Sequence, residues 1–209
     1  MVDQTSAPVV HVIDDDEAAR ESLAFLLDCA GRQVRTYPSA VAFLAGVATL
    51  SAGIIVTDVR MPEMNGLELV TRLKALGIRH PVIVITGHAD VPLAIQAMKA
   101  GVADFIEKPF GDATILDAIE AALLRESKQD ALVSERDRIL ARIATLSPRE
   151  SEVLDELVQG CANKVIAHKL SISARTVEVY RANVMTKLNA ASLSELVKMV
   201  MIAKLVTPA

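Results

Sequence analysis

The sequence predicts a doubly wound α/β domain followed by an all-α domain. Three observations carry this reading. Short β-branched runs alternate with helically spaced apolar residues, but only in the first part of the chain. Beyond Asp112 the apolar spacing is helical throughout. The charge is also divided: of a net −4, residues 1–125 hold 10 basic and 16 acidic side chains, 126–145 four of each, and 146–209 eight basic and six acidic. An acidic part joined to a locally basic part points to two domains with different partners.

The β-branched runs are VVHVI (9–13), QVRT (33–36), GIIVT (53–57), PVIVIT (81–86) and VADFI (102–106). Runs this apolar suit strands buried on both faces. Between them lie helical stripes such as Ala19, Leu23, Leu26 and Leu27, or Leu67, Val70, Leu73 and Leu76. The alternation predicts five βα units around a parallel sheet, over residues 5–125. No Gly or Pro interrupts Asp112 to Thr145; Ile115, Ile119 and Ala122 open a helical stripe, and polar residues dominate 125–138. The last helix of the first domain is therefore expected to run on as an exposed connector, with a linker at 126–145 and the second domain at 146–209.

In that second domain, Ser147-Pro148-Arg149-Glu150 reads as a capping box with Pro at the first helical position, and Gly160 closes the helix. Asn163 and Ser173 are expected to cap the next two helices, and Ser192 with Glu195 to form another capping box. Four helices of roughly three turns result.

Composition excludes several classes. With 52% apolar and 23% charged residues, the chain is neither disordered nor fibrous. Cys29 and Cys161 are far apart, which excludes a disulfide scaffold and a cysteine zinc site and fits a reducing compartment. The N-terminal MVDQTSAPVV lacks the pattern of a signal peptide, and no stretch approaches ~18 uncharged apolar residues. A soluble, cytoplasmic protein without a membrane partner is expected. The four histidines (His11, His80, His88, His168) show no ligand spacing. His88, after Thr86, either borders a pocket or is a loop residue. Cys161 is either a redox-sensitive thiol or, more simply, a small buried one.

In an open parallel sheet, ligands bind beyond the carboxyl ends of the strands at the topological switch point. The first strand ends in Asp14-Asp15-Asp16, the third in Asp58, the fourth in Thr86 and the fifth in Glu107-Lys108-Pro109. Any single acid here can be a helix cap or an Asx-turn, and Asp16 or Glu17 is expected to serve so. The ordered set has a chemical reading. Clustered carboxylates favour a divalent cation; hard oxygen ligands in small number favour Mg²⁺, which keeps waters and can hold a phosphoryl group. One carboxylate can then attack phosphorus to form an aspartyl-phosphate, with Thr86 and Lys108 donating to the phosphoryl oxygens.

The segments IDDDE, TDVRMPEMNG, VITGH and EKPF resemble the receiver domain of two-component response regulators. The resemblance implies a flavodoxin-like receiver with a five-stranded parallel sheet in the order 2-1-3-4-5. It implies that Asp58 accepts a phosphoryl group from a sensor histidine kinase. Asp15 would bind Mg²⁺ directly, Asp14 chiefly through water, and the Arg60 carbonyl would complete the site. Thr86 and Lys108 match the family's switch hydroxyl and lysine, Phe105 its switch aromatic, and the Lys108–Pro109 bond is often cis. On phosphorylation Thr86 would move toward Asp58 and Phe105 turn inward. Ile95, Met98, Val102 and Ala103 would supply apolar surface for a two-fold dimer.

Residues 163–188, NKVIAHKLSISARTVEVYRANVMTKL, read as a helix-turn-helix. Ala167 and Leu170, then Val177, Val184 and Leu188, make its core. The second helix leaves Arg175, Glu178, Val179 and Ala182 on one face. Such a face can enter a major groove, with Lys164, Arg175, Arg181 and Lys187 on phosphates and Glu178 accepting from cytosine N4. Equally, a bihelical core with scattered lysines occurs in proteins that never meet nucleic acid. Together with LSPRESEVL, the segment is similar to the LuxR/FixJ effector domain. That implies a recognition helix over about 174–188, with Glu178, Val179 and Ala182 reading bases and Thr176 among the DNA-contacting residues; Tyr180 stands where His is common.

The combination resembles response regulators of the FixJ type. It implies a transcriptional activator, not an enzyme, with a FixL-like kinase, promoter DNA and RNA polymerase as partners and nitrogen-fixation or microaerobic genes under its control. Two other readings stand beside it. Asp14-Asp15-Asp16 contains the DxD of haloacid-dehalogenase-type phosphatases, but Ala18 departs from their Thr or Val, and Asp58 and the second domain have no role there. A constitutive DNA-binding protein with the first domain as a dimerisation platform leaves the acidic pocket unexplained.

Overall fold

The structure, a computed structural model, describes residues 8–87 and 91–205. His88 therefore lies outside the described residues. The chain divides into two compact units, Met1–Ser127 and Lys128–Ala209.

In the first unit the order is β1 (Val9–Ile13), α1 (Glu17–Cys29), β2 (Gln33–Tyr37), α2 (Ala40–Ala45), a 3₁₀ turn (Val47–Thr49), β3 (Gly53–Asp58), α3 (Gly66–Ala75), β4 (Val82–Thr86), α4 (Val91–Ala100), β5 (Asp104–Glu107) and the start of α5 (Asp112–Ile143). The strands form one sheet in the expected order β2-β1-β3-β4-β5, every pairing parallel. Because β1 has β2 on one side and β3 on the other, the connections diverge between β1 and β3, opening a crevice at their carboxyl ends.

The apolar runs reflect a sheet covered on both faces. On one, Ile13, Ile55, Val82 and Val84 meet Phe43, Leu69 and Leu73. On the other, Val10, Val12, Ile54, Val56, Ile83 and Ile85 meet Leu27, Ile115 and Ile119. His11 is buried, its ring nitrogens 3.2 Å from the Tyr37 hydroxyl and 3.2 Å from the Ser51 carbonyl. Burial lowers its pKa, so it is a neutral core residue.

One expectation fails at β5. The run 102–106 enters the sheet only at Asp104, because Gly101 closes α4 at φ 78° and Val102 packs in the turn, 6% exposed. Val102 is thus part of the core and adds nothing to the apolar surface expected of it. Ile95 and Met98 on α4 are exposed, at 49% and 59%.

The second unit holds the end of α5, then α6 (Pro148–Val158), α7 (Asn163–Leu170), α8 (Ala174–Leu188) and α9 (Leu193–Leu205). Its core joins Val153, Leu157, Ile166, Val177, Val184, Leu188 and Leu196, and Ile143 and Leu146 pack against it. Ser147 and Glu150 form the predicted capping box on α6, and Ser173 caps α8. Two caps differ. The cap position of α7 is Ala162, without a side-chain bond, and Asn163 lies inside the helix, where its Oδ1 accepts from Arg181 Nη1 at 3.3 Å. At α9, the Glu195 N–H donates to Ser192 Oγ, but the Glu195 carboxylate accepts from the Ala191 N–H, one residue before the expected partner.

Candidate functional site

Parallel register brings the predicted pocket together. Ile13 sits opposite Thr57, Asp58 opposite Ile85, and Thr86 opposite Glu107, so β1, β3, β4 and β5 all end at one level. There Lys108 Nζ lies 2.8 Å from Asp14 Oδ2 and 2.9 Å from Asp58 Oδ1, bridging two nearly buried carboxylates. Burial opposes the lysine's charge, but its hydrogen bonds to Asp14 and Asp58 outweigh that, and its pKa is raised. The peptide bond after it, Lys108–Pro109, is cis.

The remaining oxygens are also placed. Asp58 Oδ2 accepts from the Arg60 N–H at 2.6 Å, and Asp14 Oδ1 accepts from the Asp16 N–H at 2.9 Å. Asp16 caps α1, accepting from the Ala18 and Ala19 N–H groups, the structural role expected of it. Asp15 stands exposed at the mouth, and Thr86 is buried at the end of β4. Phe105, half-buried on β5, packs against the first of the two sheet-face cores.

Three contributors went unnoticed in the sequence. Arg20 Nη1 donates to the Asp14 carbonyl at 2.7 Å. Gly66 opens α3 so close beneath Asp58 that a Cβ would run into the Asp58 carbonyl oxygen. Asn65 and Glu68 form a reciprocal capping box. The Asn-x-x-Glu spacing could have revealed the last, and Gly66 closes the segment TDVRMPEMNG; nothing in the sequence marks Arg20.

In the helical unit, Arg175, Glu178, Val179 and Ala182 are exposed on α8 as expected, with Val179 at 55%, and Lys164 is exposed on α7. The other candidates have structural engagements. The Thr176 hydroxyl lies 2.7 Å from Ser173 Oγ, and Arg181 reaches Asn163. Lys187 Nζ is 2.6 Å from the buried Glu150 carboxylate and 3.2 Å from the Thr145 carbonyl. These bonds tie the end of α8 to the start of α6. Cys161 is half-buried, with Sγ 3.5 Å from Lys169 Nζ.

Comparison with known proteins matches both units. Residues 10–120 fit the response regulator receiver domain, and residues 144–200 fit the bacterial regulatory proteins of the luxR family. The transcriptional regulatory protein FixJ of Azorhizobium caulinodans is 58% identical over 194 residues, covering 93% of this chain and 92% of that protein. Its namesake in Rhizobium meliloti is 53% identical over 190 residues, 91% and 93% of the two chains. Among solved structures, full-length FixJ from B. japonicum is 48% identical with a TM-score of 0.61, covering 96% of this chain and 98% of that one. The response regulator StyR is 40% identical with a TM-score of 0.77, covering 93% and 98%. An acidic pocket at the carboxyl ends of a 2-1-3-4-5 sheet, a helix-turn-helix unit after it and this likeness over nearly the whole chain lead to one assignment: the chain belongs to the two-component response regulators that join a receiver domain to a LuxR-family DNA-binding domain, alongside the FixJ transcriptional regulatory proteins.

Proposed function

We propose that this regulator is switched on by phosphorylation of Asp58. The observation that carries the reading is the convergence of Asp14, Asp58 and Lys108 at the ends of three strands. We assign residues 5–125 to the receiver, 126–145 to a helical linker and 146–209 to DNA binding. An Asp58 carboxylate oxygen attacks phosphorus, forming the O–P bond as the P–N bond to the histidine of a FixL-like sensor kinase breaks. Lys108 donates to the transferred group as charge develops on it, and Thr86 closes on it afterwards.

Among the described residues no three His, Cys, Asp or Glu side chains are gathered as a ready metal cage. A cation held by few protein groups and by water has the coordination Mg²⁺ prefers. The all-oxygen set of Asp14, Asp15, Asp58 and the Arg60 carbonyl fits that ion. When bound, it would offset the negative charge of the incoming phosphoryl group.

Phosphorylation pulls Thr86 toward Asp58 and turns Phe105 inward. The face bearing Ile95, Met98 and Ala103 then forms a two-fold dimer. The dimer presents two recognition helices to promoter DNA and engages RNA polymerase in the cytoplasm as an activator. Its likeness to the FixJ transcriptional regulatory proteins supports the reading that the genes it controls are nitrogen-fixation or microaerobic genes, in response to low oxygen. On DNA, Arg175→Ala is expected to weaken binding at every sequence and to flatten the log affinity–log salt plot by about one unit. Val179 or Ala182 substitutions are expected to change site preference; unchanged affinity and salt slope in Arg175→Ala would remove that residue from the interface.

Intact mass after incubation with acetyl phosphate tests the phosphorylation itself. Wild type is expected to gain one phosphoryl group only when Mg²⁺ is present, and Asp58→Asn to gain none. No adduct on wild type would favour a constitutive DNA-binding protein. An adduct retained by Asp58→Asn and mapped to Asp14 would favour the phosphatase reading.

A further inference from the structure

We infer that Arg20 is a positioning residue of the acidic pocket, holding the Asp14–Asp15 peptide so that the Asp15 carboxylate is set for a divalent cation. The inference rests on the reading of the pocket given above and adds a residue to it.

The turn after β1 must aim three consecutive aspartates differently, and the structure shows how two of them are fixed. Asp14 is held at both carboxylate oxygens, by the Asp16 N–H at 2.9 Å and by Lys108 Nζ at 2.8 Å. Asp16 turns away and caps α1. Asp15, between them, is exposed, and its direction depends on the peptide plane that joins it to Asp14. The carbonyl of that peptide is where Arg20 acts: Nη1 donates to the Asp14 oxygen at 2.7 Å. Arg20 is itself anchored in the first turn of α1, its N–H donating to the Asp16 carbonyl at 2.9 Å. The planar guanidinium, half-buried, thus closes a ring from α1 back to the peptide that orients Asp15.

Charge alone predicts the opposite contribution. A guanidinium beside a cation site repels the cation, so a purely electrostatic Arg20 would weaken Mg²⁺ binding and its removal would strengthen it. Positioning predicts that removal weakens binding. Partners behind the ligands of a metal site typically contribute about 10–100-fold to affinity. The two effects differ in sign, so a single affinity comparison separates them.

Calorimetric titration of the metal-free, full-length protein with MgCl₂ makes that comparison. Arg20→Ala is expected to bind Mg²⁺ about tenfold more weakly than wild type. Arg20→Lys keeps the charge without the planar fork, and is expected to fall between the two. The metal-free melting temperature should not change in either variant. Phosphorylation of Arg20→Ala by acetyl phosphate should be slow at low Mg²⁺ and return to the wild-type rate at saturating Mg²⁺. Equal or tighter Mg²⁺ binding in Arg20→Ala overturns the inference, as does a loss matched by metal-free unfolding in both variants. No Mg²⁺ binding by wild type would instead overturn the reading of the pocket, and Arg20's role with it.

Discussion

Replacing Lys108 with alanine is expected to slow phosphoryl transfer to Asp58 by about 10²-fold or more, the usual effect of removing a donor aimed at developing charge. The geometry makes this a double loss. One ammonium supplies the hydrogen bonds at 2.8 Å and 2.9 Å to Asp14 and Asp58, whose side chains are only 10% and 11% exposed. Without it, two nearly buried carboxylates lose the side chain that bridges them, and the incoming phosphoryl group loses its donor. Lys108→Arg keeps the charge but spreads it over a wider planar group. It is expected to restore much of the stability and little of the rate. Intact-mass time courses with acetyl phosphate check the rates, and melting temperatures check the stability. A Lys108→Ala rate within threefold of wild type would remove the lysine from the chemistry.

The second large effect concerns Glu150. The residue is 4% exposed. It accepts from Lys187 Nζ at 2.6 Å and from the Ser147 N–H at 2.7 Å. The hydrogen bond from Lys187, then that from the Ser147 backbone, lowers its pKa from 4.5 to about 2. A folded pKa below the unfolded one means that the carboxylate contributes stability above about 4.5, and that the contribution is lost as pH falls toward about 2. Glu150→Gln should therefore melt well below wild type at neutral pH, and the gap between the two should close across that acid range. Lys187→Met should reproduce much of the loss, and the double variant should cost less than the two singles together, because they remove one interaction. This pair holds the end of α8, through Lys187 to Glu150 and to the Thr145 carbonyl, and Arg142 Nη1 adds a separate bond to the Leu188 carbonyl at 3.1 Å. Weaker DNA binding should accompany the lower melting temperature. A melting gap that persists unchanged at acid pH would show that the carboxylate's charge is not what stabilises the helix.

Lys187 also shows where reading by residue type stops. The sequence sets it beside Arg175 as a candidate phosphate contact, and the structure adds an ion pair between its ammonium and a buried acid 37 positions away in the chain. Long-range pairing of this kind leaves no mark on local spacing. Arg175, Glu178, Val179 and Ala182 were easier, since a helical face follows from the 3.6-residue period alone. The caps divide in the same way. Ser147 with Glu150 carries its own signature, whereas Ala162 became the cap of α7 because the backbone turns there, a choice that nothing in the composition of Ala162-Asn163 announces.

By itself the sequence determined the class of each unit, the parallel sense of the sheet and the polar residues set at its strand ends. These follow from hydrophobic periods and from polar residues just past apolar runs, both local properties of the chain, whereas the strand order 2-1-3-4-5 came with the resemblance to receiver domains. Only the tertiary structure decided that Lys108 bridges Asp14 and Asp58, that Arg20 holds the Asp14 carbonyl, that Gly66 lies against Asp58, and that Val102 is core rather than surface. Each of these depends on a distance between residues that chain order does not bring together, or on which side of a turn a side chain falls. Packing sets those quantities once the sheet has formed, and no periodicity encodes them.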